Sequence, residues 1–376
     1  MKHIELNNMI TQRDENGFFQ LHYDKEAIRE FLKEVDEKLI KFNSIPEQIA
    51  YMIDNDYYYN VLEDYTMEEV EEIFRIAREY PFEFQSYMAV SKFYKDYALK
   101  TDDKNHYLET YPDRVAITAL YLSQGDIHRA RRLVQQMMKQ NYQPATPTFL
   151  NAGRSRRGEM VSCFILQMDD TLNSIGFHIN TAMQLSKIGG GVSLNLSRLR
   201  GRGEPIKGIE NAASGVVPVM KLLDDAFNYA NQLGQRRGAG AAYLNIFHWD
   251  VNEFLETKKI NVDDKSRIQS LSIGLIVPHK FIELAEKDED LYVFAPYSVY
   301  KAYGQHLDDM DMDVMYEELL ANPKVKKKKL TKARDMLTKI AITQFESGYP
   351  YIMFRTNANK QHPLKGIGKV LCSNLC

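Results

Sequence analysis

Two thiols and a carboxamide fall within five residues at the C-terminal end of the sequence, Cys372-Ser373-Asn374-Leu375-Cys376. A third cysteine, Cys163, follows Ser162 in the apolar run Val161-Ser162-Cys163-Phe164-Ile165-Leu166. A thiol becomes a nucleophile or a reductant only where its surroundings and exposure permit it, and a buried one is inert. The approach to the terminal cluster is Phe345-Glu346-Ser347-Gly348-Tyr349-Pro350-Tyr351-Ile352-Met353-Phe354, then Gly366-Ile367-Gly368 and Val370-Leu371. That order reads as a helix, a strand, a loop, and a cysteine at a loop tip, where a rigid scaffold can present it to a ligand. The competing reading is a small apolar side chain packed in a core.

Other polar groups could join such a site. Thr146-Pro147-Thr148 reads as a turn whose hydroxyls and N–H groups suit phosphate oxygens, with packing as the alternative for each hydroxyl. Gly189-Gly190-Gly191 separates a predicted helix from a predicted strand; it allows close approach of a ligand, although a helix C-cap alone needs one glycine. No helix opens directly after it, so it is not the dinucleotide fingerprint. Two loops are basic and glycine-rich: Arg198-Leu199-Arg200-Gly201-Arg202-Gly203-Glu204-Pro205-Ile206-Lys207 and Gln232-Leu233-Gly234-Gln235-Arg236-Arg237-Gly238-Ala239-Gly240. Arginine grips phosphate bidentately, so these loops suit a nucleoside triphosphate better than a duplex; plain surface loops are the alternative.

The elements that must position these groups are legible from periodicity. Residues 1–145 read as helical. Ile28, Phe31, Leu32, Val35 and Leu39 repeat at helix spacing, and Thr66 with Glu69 forms a capping box ahead of Val70, Ile73, Phe74 and Ala77. Asp126 is placed to cap the next stripe, and Tyr57-Tyr58-Tyr59 reads as interhelical packing. From residue 146 the texture changes. Predicted strands at 161–166, 192–196 and 271–277 alternate with helices at 171–188, 215–232 and 331–347, the pattern of parallel strands in an α/β layer or barrel. The lysines between 324 and 329 read as a solvated surface.

The 376 residues carry a net charge of −3, with 44% apolar and 26% charged residues, which fits a globular protein and not a general nucleic-acid binder. No apolar run is long enough to span a bilayer and no signal-peptide core opens the chain. Three cysteines do not make a disulfide scaffold, which points to a reducing cytoplasm.

Together these stretches resemble the large, catalytic subunit of ribonucleotide reductase of the class Ib aerobic type. The matching segments are Pro144-Ala145-Thr146-Pro147-Thr148-Phe149-Leu150-Asn151-Ala152-Gly153, Val161-Ser162-Cys163-Phe164, Leu185-Ser186-Lys187-Ile188-Gly189-Gly190-Gly191-Val192, Ala226-Phe227-Asn228-Tyr229-Ala230-Asn231-Gln232-Leu233-Gly234, the segment 345–354 and Ser373-Asn374-Leu375-Cys376. The resemblance implies an α/β fold: a helical N-terminal domain over 1–145 without an ATP cone, then the first half of a ten-stranded α/β barrel over 146–376.

It further implies thiyl-radical reduction of ribonucleoside diphosphates to deoxyribonucleoside diphosphates. Cys376 would carry the radical and abstract hydrogen from the ribose, because a carbon–hydrogen bond is too strong for acid–base chemistry at neutral pH. Asn374 would orient the ribose, and Cys163 would be one of two thiols that close into a disulfide. Thr146, Ser162 and Gly191 would contact substrate, with Thr148 beside them. Asp170, Thr171 and Leu172 would meet the sugar and base of a dNTP or ATP effector at a homodimer interface. Arg200 and Lys207 would meet its phosphates, and the loop around Arg236 would relay the effector's identity. No cofactor or metal would be held by this chain. The radical would come from a dimetal-tyrosyl small subunit and the electrons from a glutaredoxin-like or thioredoxin reductant. Nucleic acid and membrane are not implied partners.

The family's second redox cysteine, its later phosphate loop, its relay tyrosines and its C-terminal cysteine pair have no counterpart here. The expectation is therefore the N-terminal part of a split or interrupted large subunit, inactive without its other half, with Cys372 structural. The alternative is a catalytically inactive nucleotide-binding regulatory fragment.

Overall fold

Amphipathic stripes and their caps build the first part of the chain. The computed structural model describes residues 2–230, 239–259, 261–264 and 266–375, and the chain divides into two compact units, Met1–Val161 and Ser162–Cys376. The first unit holds α1 (Lys2–Ile10), α2 (His22–Lys38), α3 (Ile45–Asp54), α4 (Met67–Glu79), α5 (Tyr87–Lys92), α6 (Tyr111–Ser123), α7 (Ile127–Met138) and α8 (Thr146–Asn151). In α4 the capping box forms as expected, with Glu69 N donating to Thr66 Oγ1 at 3.3 Å and Thr66 N donating to Glu69 Oε2 at 2.9 Å. Its stripe Val70, Ile73, Phe74 and Ala77 is fully buried. Asp126 caps α7 through the Arg129 N–H at 3.0 Å. Tyr58 packs inside, its hydroxyl donating to the buried Glu109 at 2.8 Å.

Residues 146–148 do not form the expected turn. They open α8, because proline is preorganised for a first helical turn and Phe149 is buried in the first unit's core. The segment up to Val161 stays with the helical unit, past the change of texture near residue 145.

In the second unit, short apolar runs, mostly buried on both faces, form a parallel sheet in the order β1 (Cys163–Gln167), β2 (Gly191–Asn195), β3 (Ala239–Asn245), β4 (Ser272–Ile276) and β7 (Tyr351–Met353). In chain order the unit runs β1 (Cys163–Gln167), α9 (Leu172–Lys187), β2 (Gly191–Asn195), α10 (Val216–Tyr229), β3 (Ala239–Asn245), α11 (Val251–Glu256), β4 (Ser272–Ile276), α12 (His279–Glu286), β5 (Asp290–Phe294), α13 (Pro296–Tyr303), α14 (Met312–Ala321), β6 (Lys327–Lys332), α15 (Ala333–Ser347), β7 (Tyr351–Met353) and α16 (Arg355–Gln361). The two sheet faces have different partners, as alternation along a strand requires. Val192, Leu194, Ala242, Leu244, Ile273 and Leu275 join the large core built with the helices. Ala241, Tyr243, Ile276 and Met353 pack instead around Cys372. A helical N-terminal unit followed by five parallel strands agrees with the expected helical domain and half-barrel.

Two local expectations change. The run 161–166 was expected to be a buried strand; β1 instead has one neighbour among the described residues and leaves Cys163 and Ile165 exposed. The lysine run is not simply a solvated face. It leads into β6, antiparallel to β5, where Lys329 pairs with Asp290 at 2.7 Å and Lys328 lies 4.2 Å from the Trp249 ring centre.

Candidate active site

The site forms where the terminal segment folds back on the sheet. After α16, Asn359 grips the backbone of Val370 from both sides, Nδ2 donating to its carbonyl at 3.0 Å and Oδ1 accepting from its N–H at 2.7 Å. Arg355 donates to the Leu371 carbonyl at 3.1 Å. The next residue, Cys372, is fully buried, and burial first, with the Asp308 carboxylate second, pushes its thiol up to about 12. A thiol so held is inert, in keeping with a structural role.

Beyond it, Asn374 reaches the N-terminal ends of β1 and β2. Its Nδ2 donates to the Phe164 carbonyl at 2.9 Å and the Gly191 carbonyl at 3.0 Å, while its Oδ1 accepts from Leu375 N at 2.7 Å. Both amide protons are thus spent on carbonyls at the start of the β1–β2 ladder. Beneath, the Tyr243 hydroxyl lies 3.5 Å from the Asn374 carbonyl oxygen. Burial raises that phenol to about 12, so it stays a neutral O–H group.

The glycine run explains why the segment can come this close. Gly189 adopts φ +102°. At Gly190 a Cβ would lie 2.6 Å from the Phe164 ring, and at Gly191 it would lie 3.2 Å from Leu375 Cδ1 and 3.3 Å from Asn374 Oδ1. A helix cap accounts for only one of the three. Gly191 is also the register partner of Cys163, and its N–H donates to the Ser162 carbonyl at 2.6 Å. The structure therefore brings Ser162, Cys163, Gly191 and Asn374 together. Cys163 is exposed, with its sulfur 3.9 Å from Ser162 Oγ.

Thr146 and Thr148 belong to the first unit, where Thr146 Oγ1 lies 2.9 Å from the Tyr97 hydroxyl and Thr148 Oγ1 donates to the Met160 carbonyl at 3.0 Å. Cys376 and Arg236 lie outside the described residues.

The candidate effector residues cluster at the other end of the same strands. Just past β1 and β2, Arg200 Nε donates to Asp170 Oδ2 at 2.7 Å and its N–H to Asp170 Oδ1 at 3.1 Å. The guanidinium also donates to the Pro205 carbonyl and lies 4.3 Å from the Tyr297 ring centre. Thr171 caps α9 through the Ser174 N–H at 3.1 Å, Leu172 is 83% exposed, and Lys207 stands exposed at φ +52° in the turn between Ile206 and Ile209.

At the C-terminal ends of β2 and β3 lies a buried polar network that the sequence did not single out. Asp308 accepts from Asn195 Nδ2 at 2.7 Å, Asn245 Nδ2 at 3.1 Å and Arg355 Nη1 at 2.8 Å. Burial pushes this carboxyl up, but Arg355 and the two amides outweigh it and hold its pKa below the ordinary value. The signal available in the sequence was positional: Asn195 and Asn245 each end a strand, and parallel strands gather side chains at their ends. Among the described residues no cluster of His, Cys, Asp or Glu is arranged for a metal ion, and no helix is long and apolar enough to cross a membrane.

Three family descriptions match consecutive stretches: "Ribonucleotide reductase N-terminal" over residues 3–82, "Ribonucleotide reductase, all-alpha domain" over 83–157 and "Ribonucleotide reductase, barrel domain" over 161–376. The chain is 55% identical over 376 residues to the ribonucleoside-diphosphate reductase NrdEB subunit alpha of Bacillus subtilis, covering 99% of this chain and 34% of the relative. It is 53% identical over 378 residues to the ribonucleoside-diphosphate reductase subunit alpha of the same organism, covering 100% of this chain and 54% of the relative. The subunit alpha of Mycoplasma pneumoniae is 47% identical over 357 residues, covering 94% and 49%. The chain thus spans between a third and about half the length of these relatives. Helical unit, parallel sheet and three adjoining family matches lead to one conclusion: the chain belongs to the ribonucleotide reductase large-subunit (alpha) family, of which it corresponds to the N-terminal portion.

Proposed function

We propose that this chain supplies the substrate- and effector-binding portion of a class Ib ribonucleoside-diphosphate reductase large subunit, working with the remaining length of its relatives. Cys376, next in sequence after the segment that Asn374 anchors, holds the thiyl radical that abstracts hydrogen from the ribose. Cys163 and a second thiol are oxidised to a disulfide while the ribose carbon gains hydrogen and its hydroxyl leaves as water. Asn374 acts by position rather than as a base, since a carboxamide is a poor proton acceptor. Thr146, Ser162 and Gly191 contact the diphosphate substrate, with Thr148 a neighbouring candidate for a phosphate contact.

A deoxynucleoside triphosphate or ATP effector meets Asp170, Thr171 and Leu172 with its sugar and base, and Arg200 and Lys207 with its phosphates; Arg236 belongs to the relay loop. Two copies join through α9 and α10, a reading supported by the exposure of Leu172 at 83%, Phe177 at 65% and Tyr229 at 86%. A dimetal-tyrosyl small subunit supplies the radical and a glutaredoxin-like or thioredoxin partner the electrons.

The observation that carries this reading is the clip of Asn374 onto the Phe164 and Gly191 carbonyls, which puts the segment leading to Cys376 over the strand end bearing Cys163. The test combines this chain with a polypeptide covering the rest of the 53%-identical relative, a class Ib small subunit and a dithiol reductant. Deoxynucleotide formation is expected only in the full mixture. Turnover by the chain alone would contradict the reading, and triphosphate binding without turnover in any mixture would favour an inactive regulatory module.

A further inference from the structure

Two consecutive carboxylates at the C-terminal end of the sheet join the arginine loop to the start of the terminal segment. The 3-10 turn Leu307–Asp309 places Asp308 inside the polar network and leaves Asp309 at the surface. Asp309 Oδ2 accepts from Arg198 Nη2 at 3.0 Å, and the same guanidinium donates to Asp169 at 2.7 Å. Arg198 and Asp169 adjoin Arg200 and Asp170, the pair assigned above to the effector. On the other side, Asp308 holds Arg355, whose Nη1 also donates to the Leu371 carbonyl, three residues ahead of Asn374. From there the terminal segment runs to the Asn374 clip at the N-terminal ends of β1 and β2, strands of five residues each, or roughly 13 Å of extended chain.

We propose that Asp308 and Asp309 are positioning residues that couple the arginine loop 198–207 to the cysteine-bearing segment Leu371–Leu375. The inference rests on the reading that a deoxynucleoside triphosphate binds at Arg200. A ligand can shift this segment only through interactions that differ between its arrangements. A phosphate drawn to Arg200 competes with Asp170 and moves the loop that carries Arg198. Arg198 and the Asp309 carboxylate share one ion pair, so the 3-10 turn feels that movement. Asp308 then passes it to Arg355, which is also bonded to Leu371. Asn195 and Asn245, which end β2 and β3, are bound to the same carboxylate, so the route runs over the C-terminal end of the sheet.

Cys372 reports on the link, being fully buried one residue beyond Leu371. Its alkylation by N-ethylmaleimide, followed by peptide mass spectrometry, measures how often the segment opens. Each of the four deoxynucleoside triphosphates is added in turn to the full chain, with binding measured in parallel by calorimetry. At least one nucleotide is expected to slow Cys372 labelling by about fivefold or more, the low end of ordinary coupling between sites. In Asp309→Asn, binding and the nucleotide-free labelling rate should persist while the nucleotide effect disappears; a merely structural role would change the nucleotide-free rate. Arg355→Gln, which cuts the other half of the link, should raise the nucleotide-free rate and also abolish the nucleotide effect. Nucleotide binding that leaves Cys372 labelling unchanged, or an effect that survives in Asp309→Asn, would overturn the coupling alone. Absence of any triphosphate binding would overturn the effector reading and the coupling with it.

Discussion

Asn374 and Gly191 fit each other across the N-terminal end of the sheet. The Asn374 Nδ2 donates to the Gly191 carbonyl at 3.0 Å, and the Cβ that Gly191 lacks would sit 3.3 Å from the Asn374 Oδ1. The glycine is needed there for closeness of approach rather than for a special backbone angle. Gly191→Ala should therefore cost little global stability, about 1 kcal/mol, while loosening the terminal segment. Gly190→Ala should cost about 2–3 kcal/mol, because its Cβ would meet the Phe164 ring and, at 2.7 Å, the Leu185 carbonyl, which is backbone and cannot turn aside. Urea unfolding of both variants checks the order; equal losses would contradict it.

The two described cysteines should differ sharply toward an alkylating agent. Cys163 is exposed on β1, whereas Cys372 is buried with its thiol pushed up to about 12. At pH 7.5 iodoacetamide should modify Cys163 about a hundredfold faster or more, because the thiolate is the reacting form and Cys372 offers almost none. Peptide mapping over time reads the ratio directly; comparable rates would mean that the terminal segment does not cover Cys372.

Asp308 should make acid stability steep. Its carboxyl is held below the ordinary value in the fold, so the unfolded chain takes up the proton first as pH falls. The contribution is complete above the unfolded value of about 4 and is lost as pH drops through the lower folded value. Urea unfolding between pH 7 and 3 should show this loss in the native sequence and a flatter acid limb in Asp308→Asn. At neutral pH, Asp308→Ala should cost about 3–5 kcal/mol, because it leaves the largely buried Arg355 without its counter-charge. Parallel acid limbs would refute the assignment.

The proposed pairing of two copies through α9 and α10 should be sensitive to charge. Phe177→Asp places a carboxylate on an exposed apolar face and should convert dimer to monomer in sedimentation velocity while leaving the far-ultraviolet circular dichroism unchanged. A dimer that survives this substitution would place the interface elsewhere.

Much of this architecture was legible because local rules acted alone. The Thr66–Glu69 box, the α4 stripe and the Asp126 cap depend on residues within one or two turns, and the strand and helix alternation after residue 160 depends on period. What local pattern could not supply was position within the sheet. Cys163 sits in an apolar run that reads as core, yet β1 has one neighbour among the described residues, and its alternate side chains are open. Thr146-Pro147-Thr148 reads equally as turn or first helical turn, and Phe149 decided in favour of the helix by finding a core to enter. The Asp308 network was invisible because its members, Asn195, Asn245, Asp308 and Arg355, meet only after four elements have assembled. The glycine run was ambiguous for the same reason. Gly190 and Gly191 are required by Phe164 and Asn374, one of them 183 residues further along the chain.

The central proposal is that Cys376 carries the radical acting on the ribose. It is tested most directly by deoxynucleotide formation in the reconstituted full-length subunit carrying Cys376→Ser, with Cys372→Ser as the control. The account predicts no turnover for Cys376→Ser despite normal effector and substrate binding, and turnover close to the native rate for Cys372→Ser. Deoxynucleotide formation by Cys376→Ser would contradict it.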